Sequence, residues 1–397
     1  MMGQIDQDKA RKHDPHSFRN ELTAGLQSCS WKFDEILKFL ENAGHRLEYN
    51  KYGETLFEVL IAGNIIAPGG QIEEESRWDG CVFECGNEEL LRGFNDVFEK
   101  LMRRYKYLLK VFQNHTSHMI KFINIWPEEY TCNFATLFGL MFVSSAIITP
   151  KVLDSLLADY LVRNECALRF VTAAFEVWLA NTDFDTFSAA MKKSGTDDHL
   201  LEFFPENKRK AECLEEHFKG AGLDAVIRFF KDRTQSEIVN GLRARLTEML
   251  EAKEPADRIA EVILAVNREA QLPEAHLITL LWPCVMNSVE WSMKADMIER
   301  QVAQHMSVHA PLLSRFTRTG RAQLNALNTI QSYCYENMTF LKYLRSVVFS
   351  LYHNDVLEEE AIQKWYKDAH TSKGWSIFQE QMLTMIRWLE CAEEDSS

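Results

Sequence analysis

Residues 351–397 read LYHNDVLEEEAIQKWYKDAHTSKGWSIFQEQMLTMIRWLECAEEDSS. Ile362, Trp365 and Tyr366 fall at i, i+3 and i+4, and Phe378, Met382, Met385 and Leu389 recur every three or four residues, so each set shares one helix face. The segment predicts two amphipathic helices, with Gly374 ending the first. Asp355 followed by Glu358 has the form of a capping box, which places Glu358, Glu359 and Glu360 in a first turn, where carboxylates offset the positive end of the helix dipole. Helix-start chemistry thus explains much of this first acidic box, and Trp365 reads as core. The second box differs. Glu393, Glu394 and Asp395 come after Trp388, Leu389 and Glu390 at the end of a helix, where the dipole disfavours negative charge. Local stability would select Lys or Arg there. Carboxylates beside an indole that lies off the apolar stripe point instead to an external cation, such as a lysine-rich partner.

The same period runs upstream. Phe18, Leu22 and Leu26, then Phe33, Ile36, Leu37 and Leu40, then Tyr52, Leu56, Val59 and Leu60 predict three helices. The breaker Ala67-Pro68-Gly69-Gly70 follows, and residues 71–86 read as a long exposed loop. One helix is expected from Glu88 to Phe112, with Lys100, Arg103, Arg104, Lys106 and Lys110 opposite its apolar side. Further helical segments follow, and prolines 127, 150 and 205 punctuate them. Successive helical hairpins without strands predict an all-α, HEAT-type repeat architecture. A junction is expected between Gly220 and Glu237, which gives a flexible arm over residues 1–17, a helical-repeat domain over 18–231 and a second helical domain over 232–397.

The formal charge of −14 over 397 residues opposes general affinity for nucleic acid or an anionic membrane, because both attractions need excess Lys and Arg. Past the junction the chain is near neutral until the closing boxes, which supply the negative excess of that half. Nine scattered cysteines and a polar, mixed-charge start predict reduced thiols, a cytoplasmic location and no secretory leader.

No catalytic signature is present. The sequence holds no Gly-Lys-Ser or Gly-Lys-Thr, so no Walker loop. Cys81 and Cys85 lack a second pair to complete a zinc site, and His115 with His118, or His305 with His309, read as surface histidines without ligand-spaced neighbours. No metal and no cofactor are expected. Leu101 and Leu108 are seven apart, but Phe94 and His115 interrupt the heptad, so the basic helix is no zipper-type DNA reader.

The succession Leu351-Tyr352, Asp355, Leu357, Glu360, Ile362, Lys364-Trp365-Tyr366 and then Trp388-Leu389, Ala392-Glu393-Glu394 resembles the two aromatic and acidic boxes of a W2 domain. Glu54-Thr55-Leu56-Phe57, Ala67-Pro68-Gly69-Gly70, Arg103-Arg104-Tyr105-Lys106-Tyr107-Leu108, Ser288-Val289-Glu290-Trp291 and Tyr333-Cys334-Tyr335 extend the likeness over nearly the whole chain. Together, in that order, they resemble the basic leucine zipper and W2 domain proteins, also called initiation factor five mimics. The resemblance implies a HEAT-type domain followed by a W2 domain. It also implies that the boxes contact the lysine-rich segment of the initiation factor two beta subunit and parts of initiation factor three, and that the preinitiation complex is within reach. A chain that carries the binding module without the zinc-bearing, GTPase-activating domain of factor five is expected to compete with factor five and tighten start-codon choice. The acidic run here stops at Asp395, shorter than in many relatives.

The expected partner-binding residues are therefore Glu358, Glu359, Glu360, Trp365, Trp388, Glu390, Glu393, Glu394 and Asp395, with Lys100, Arg103, Arg104 and Lys106 as a second contact. The protein is expected to be a non-catalytic regulator of translation initiation. The alternative is an RNA-binding helical scaffold that uses the basic helix near Arg103, joined by Arg315, Arg318 and Arg321.

Overall fold

In the computed structural model the described residues are 14–29, 31–144, 146–292, 294–368 and 374–394. They form eighteen α-helices and no β-strand beyond an isolated antiparallel bridge between Ile66 and Ile72. The chain divides into two compact units, Met1–Asp232 and Arg233–Ser397.

The first unit opens with α1 (Pro15–Leu26), α2 (Phe33–Ala43), α3 (Tyr49–Ala62), α4 (Glu88–Arg104) and α5 (Leu108–Met119). It continues with α6 (Glu128–Ser144), α7 (Asp159–Arg163), α8 (Cys166–Ala180), α9 (Phe184–Ser194) and α10 (Ala211–Gly220). Local chemistry starts several of these. Asp14 accepts from the Ser17 amide with Pro15 in the first turn, Asn87 accepts from Leu90, and Asp183 accepts from Thr186. Residues 15–17, expected in the flexible arm, are therefore helical, while residues 1–13 of that arm lie outside the described residues. Through α8 most helices pack on the next but one, α1 on α3 and α3 on α5, with α2 on α4, α4 on α6 and α6 on α8 in a second row. That alternation is how stacked helical hairpins bury a continuous core.

Two further expectations about this unit's helices and loops fail. The helix drawn from Glu88 to Phe112 breaks at Tyr105, whose φ of −117° and ψ of 77° leave the helix. The Tyr105 hydroxyl donates to the Glu41 carbonyl at 2.8 Å, and its ring packs edge-on against Tyr49, so a tertiary anchor overrides a continuous helical pattern. Residues 71–86 are not an exposed loop either. Trp78, Cys81, Val82, Phe83 and Cys85 are buried, and burial pushes the Cys81 thiol up to about 11 and the Cys85 thiol up to about 12. Polar groups tie the segment down. Buried Arg19 donates to the Asn64 side chain and the Glu75 carbonyl, Asn64 donates to Glu73 and Glu75, and Arg77 pairs with Glu84 at 2.8 Å. The loop's backbone needs are met inside the fold.

In the second unit the helices are α12 (Ala256–Ala270), α13 (Glu274–Asn287), α14 (Ala295–Leu313), α15 (Gly320–Glu336), α16 (Leu344–His353), α17 (Glu359–Asp368) and α18 (Trp375–Glu394). The helix between α10 and α12, Asp224–Glu251, contains the unit boundary. It gives Val226 and Phe229 to the first core and Leu242, Leu246 and Leu250 to the second. Next-but-one packing holds here too, α12 on α14, α14 on α16 and α16 on α18, beside α13 on α15 and α15 on α17.

His305 and His309 on α14 are half-buried rather than on the surface, and their rings meet at 4.5 Å. The Nε2–H of His305 donates to the Val285 carbonyl at 2.8 Å. Burial, with His305 as neighbour, pushes His309 down to about 4. An imidazole held below its ordinary value of about 6.5 binds fewer protons folded than unfolded. Its contribution is complete above pH ~6.5 and is lost as pH falls toward about 4. The His309→Gln variant should flatten the stability profile in that window by on the order of 1 kcal/mol, after allowance for the exposed edge of the ring. Denaturant melts at several pH values check this.

Glycine marks a tight crossing of α6 and α8. A Cβ at Gly139 on α6 would lie 2.5 Å from the Ala174 carbonyl oxygen of α8, a backbone atom that cannot yield alone. Gly139→Ala should cost about 1–3 kcal/mol through overpacking. Gly241, in the Asp224–Glu251 helix with nothing within 4 Å, should gain about 0.5–1 kcal/mol on the same change. Opposite signs in urea melts are the expected outcome, and a neutral Gly139→Ala would contradict the tight crossing.

Candidate functional site

Two glutamines organise the C-terminal boxes. Gln323 and Gln331 lie on α15 among Ala322, Ala326, Leu327, Ile330 and Cys334, and both are buried. The Gln323 Oε1 accepts from the Glu358 amide at 2.8 Å, which fixes the start of α17. The Gln331 Oε1 accepts from the Trp365 indole at 3.2 Å, which fixes its far turn. A buried polar residue is retained when its hydrogen bonds are met, and these two are. The signal was present in the sequence as polar residues inside an apolar stripe, but a stripe alone does not say what a glutamine would hold.

The start of α17 differs from the expected capping box. Asp355 has φ +56° and its amide donates to the Tyr352 carbonyl, so it closes α16 rather than opening α17. Glu359 and Glu360 do lie in the first turn, and Glu358 precedes it. Glu358 and Glu360 are exposed, whereas Glu359 is half-buried and accepts from Gln363 at 3.1 Å. Gly374, with φ +76°, precedes α18, and a Cβ there would fall 2.4 Å from the Tyr335 ring. Residues 369–373, where α17 was expected to end, lie outside the described residues.

The two tryptophans of the boxes have opposite fates. Trp365 is 2% exposed and meets Trp375 edge-on at 5.7 Å, so it presents no face to a partner and acts by placing α17. Trp388 is 51% exposed on α18, although Met382, Met385, Ile386 and Leu389 around it are buried. Its ring rests against Tyr352 at 5.9 Å and Phe349 at 6.2 Å, and Phe349 in turn stacks on His353. Phe349 is itself 46% exposed, so α16 and α18 share an aromatic surface that the sequence-based site left out. Its signal was Phe349 standing off the stripe of Leu344, Val347, Val348 and Leu351. Glu390, two residues after Trp388, is exposed. α18 runs through Glu393 and Glu394, whose side chains, like Asp395 as a whole, lie outside the described residues.

The second contact is divided by the break at Tyr105. Lys100, Arg103 and Arg104 are exposed near the end of α4, and Lys106 sits on the following turn. Arg103 is paired with Glu99 at 2.8 Å, and Arg315 of the other unit is paired with Asp257. Among the described residues no group of three or more His, Cys, Asp or Glu could hold a metal ion, and no helix is long and apolar enough to cross a membrane.

Comparison with known proteins agrees with this architecture. The 5MP1/2 HEAT domain family matches residues 4–240, and the W2 family, described as eIF4-gamma/eIF5/eIF2-epsilon, matches residues 322–397. The eIF5-mimic protein 1 of Homo sapiens is 36% identical over 397 residues, covering 98% of this chain and 94% of the relative. That of Danio rerio is 36% identical over 394 residues, covering 98% and 93%, and eIF5-mimic protein 2 of Rattus norvegicus is 34% identical with the same coverage. The chain belongs to the eIF5-mimic protein family, a HEAT domain followed by a W2 domain.

Proposed function

We propose that the protein is a non-catalytic, cytoplasmic regulator of translation initiation whose C-terminal domain, residues 232–397, captures the lysine-rich segment of the initiation factor two beta subunit and binds initiation factor three. By occupying those partners it competes with initiation factor five and tightens start-codon choice in the preinitiation complex. The observation that carries this reading is the half-exposed Trp388 indole on a helix that ends in Glu390, Glu393 and Glu394. An indole face attracts an ammonium, and nearby carboxylates raise the local concentration of cationic peptide. Glu358 and Glu360, exposed at the start of α17, add a second acidic site for the same partner. Lys100, Arg104 and Lys106 supply a separate contact for an acidic partner surface. The names of the relatives and the matched W2 family support a role in initiation without specifying these partners.

Calorimetric titration with a lysine-rich peptide from the factor two beta subunit tests the reading. Trp388→Ala should weaken binding about two- to five-fold, the size of an exposed cation–π contact. Replacing Glu393, Glu394 and Asp395 together by Lys should weaken it by about tenfold or more, and added salt should weaken the wild type, because exposed charges are screened beyond about 8 Å. Unchanged affinity in a folded triple variant contradicts the proposal.

A further inference from the structure

The first unit holds a cleft of about 410 Å³, within the ~300–1,000 Å³ range of small-ligand sites. Ile66, Pro68, Met119 and Phe122 form apolar walls, and the polar groups are Glu58 from α3 and His115 and His118 from α5. Glu58 is withdrawn from water, with 12% of its side chain exposed. The His115 Nε2 lies 3.3 Å from it, and that nitrogen is buried and makes no hydrogen bond. Among the described residues no lysine or arginine lies within ion-pair distance of Glu58. A carboxylate so withdrawn carries a desolvation cost that a cation or hydrogen-bond donors ordinarily offset. The wall beside it is fixed in advance. The Gly70 amide donates to the Ala67 carbonyl at 2.9 Å, and the Trp126 indole donates to the Gly70 carbonyl at 2.7 Å.

We propose that this cleft binds a primary alkylammonium group, as on a lysine side chain of a partner peptide. The Glu58 carboxylate accepts from the ammonium, and Ile66, Pro68, Met119 and Phe122 pack on the methylene stem. The site is independent of the C-terminal boxes and of the function proposed for them.

The test is a methyl NMR titration of the full chain, followed at the Met119 and Ile66 methyl groups, with N-acetyl-lysine methylamide as the probe. Saturable shifts with a Kd on the order of millimolar are expected. The ε-acetylated probe, which has lost its charge, should give none, and this comparison uses the wild-type protein alone. Glu58→Gln, near-isosteric, should weaken binding of the charged probe at least tenfold while its melting curve stays unchanged. Equal shifts with the acetylated probe, full binding by folded Glu58→Gln, the absence of saturable shifts, or a response to Zn²⁺ with none to the amine would overturn the proposal.

Discussion

A helix of ten to twenty residues cannot bury its apolar stripe by itself, and along most of this chain the helix two positions away covers it. That constraint sets the rest. It demands helices capped at fixed places by Asp14, Asn87, Asp183 and Thr319, and close approach where bulky residues crowd the rows. The first core is dense in aromatic rings that meet edge to face, with Phe134, Phe138 and Phe170 mutually within 6.0 Å. Where α6 crosses α8 there is no room for a methyl group, and Gly139 occupies the crossing.

The same constraint separates what is held from what is offered at the C-terminal end. Trp365 falls on the stripe of α17 and is drawn inside, where Gln331 meets its indole nitrogen. Trp388 falls beside the stripe of α18, and nothing in the packing requires it to be buried. Two residues of one type, 23 positions apart, thus take a structural role and a surface role by periodicity alone. Gln323 and Gln331 make the arrangement specific, because each leaves a buried polar group unpaired if α17 shifts along α15.

Much of this was legible in the sequence. The all-α class followed from sustained three- and four-residue spacing, and the exposure of Trp388 followed from its place off the Phe378, Met382, Met385 and Leu389 stripe. Most of the misses share one physical cause, a tertiary contact that outweighs a local pattern. Residues 71–86 carry Gly, Glu and Asp and look like loop, yet Arg19, distant in sequence, and Asn64 supply the hydrogen bonds that draw them in. The helical period through Tyr105 is unbroken, and the ring's anchor against α2 and α3 breaks the helix. Asp355 has capping chemistry at the right spacing, but the end of α16 takes it first. His115 was read as exposed because Glu58, its neighbour, is 57 positions away.

The central claim is that the half-exposed indole of Trp388 meets the partner while the buried indole of Trp365 only supports the helix beside it. Fluorine NMR on the chain labelled with 5-fluorotryptophan, with resonances assigned through Trp388→Phe and Trp365→Phe, tests it most directly. On addition of the lysine-rich peptide the Trp388 resonance should move in a saturable, salt-sensitive way while the Trp365 resonance stays in place. A Trp388 resonance that does not respond at peptide concentrations that saturate binding would contradict the account.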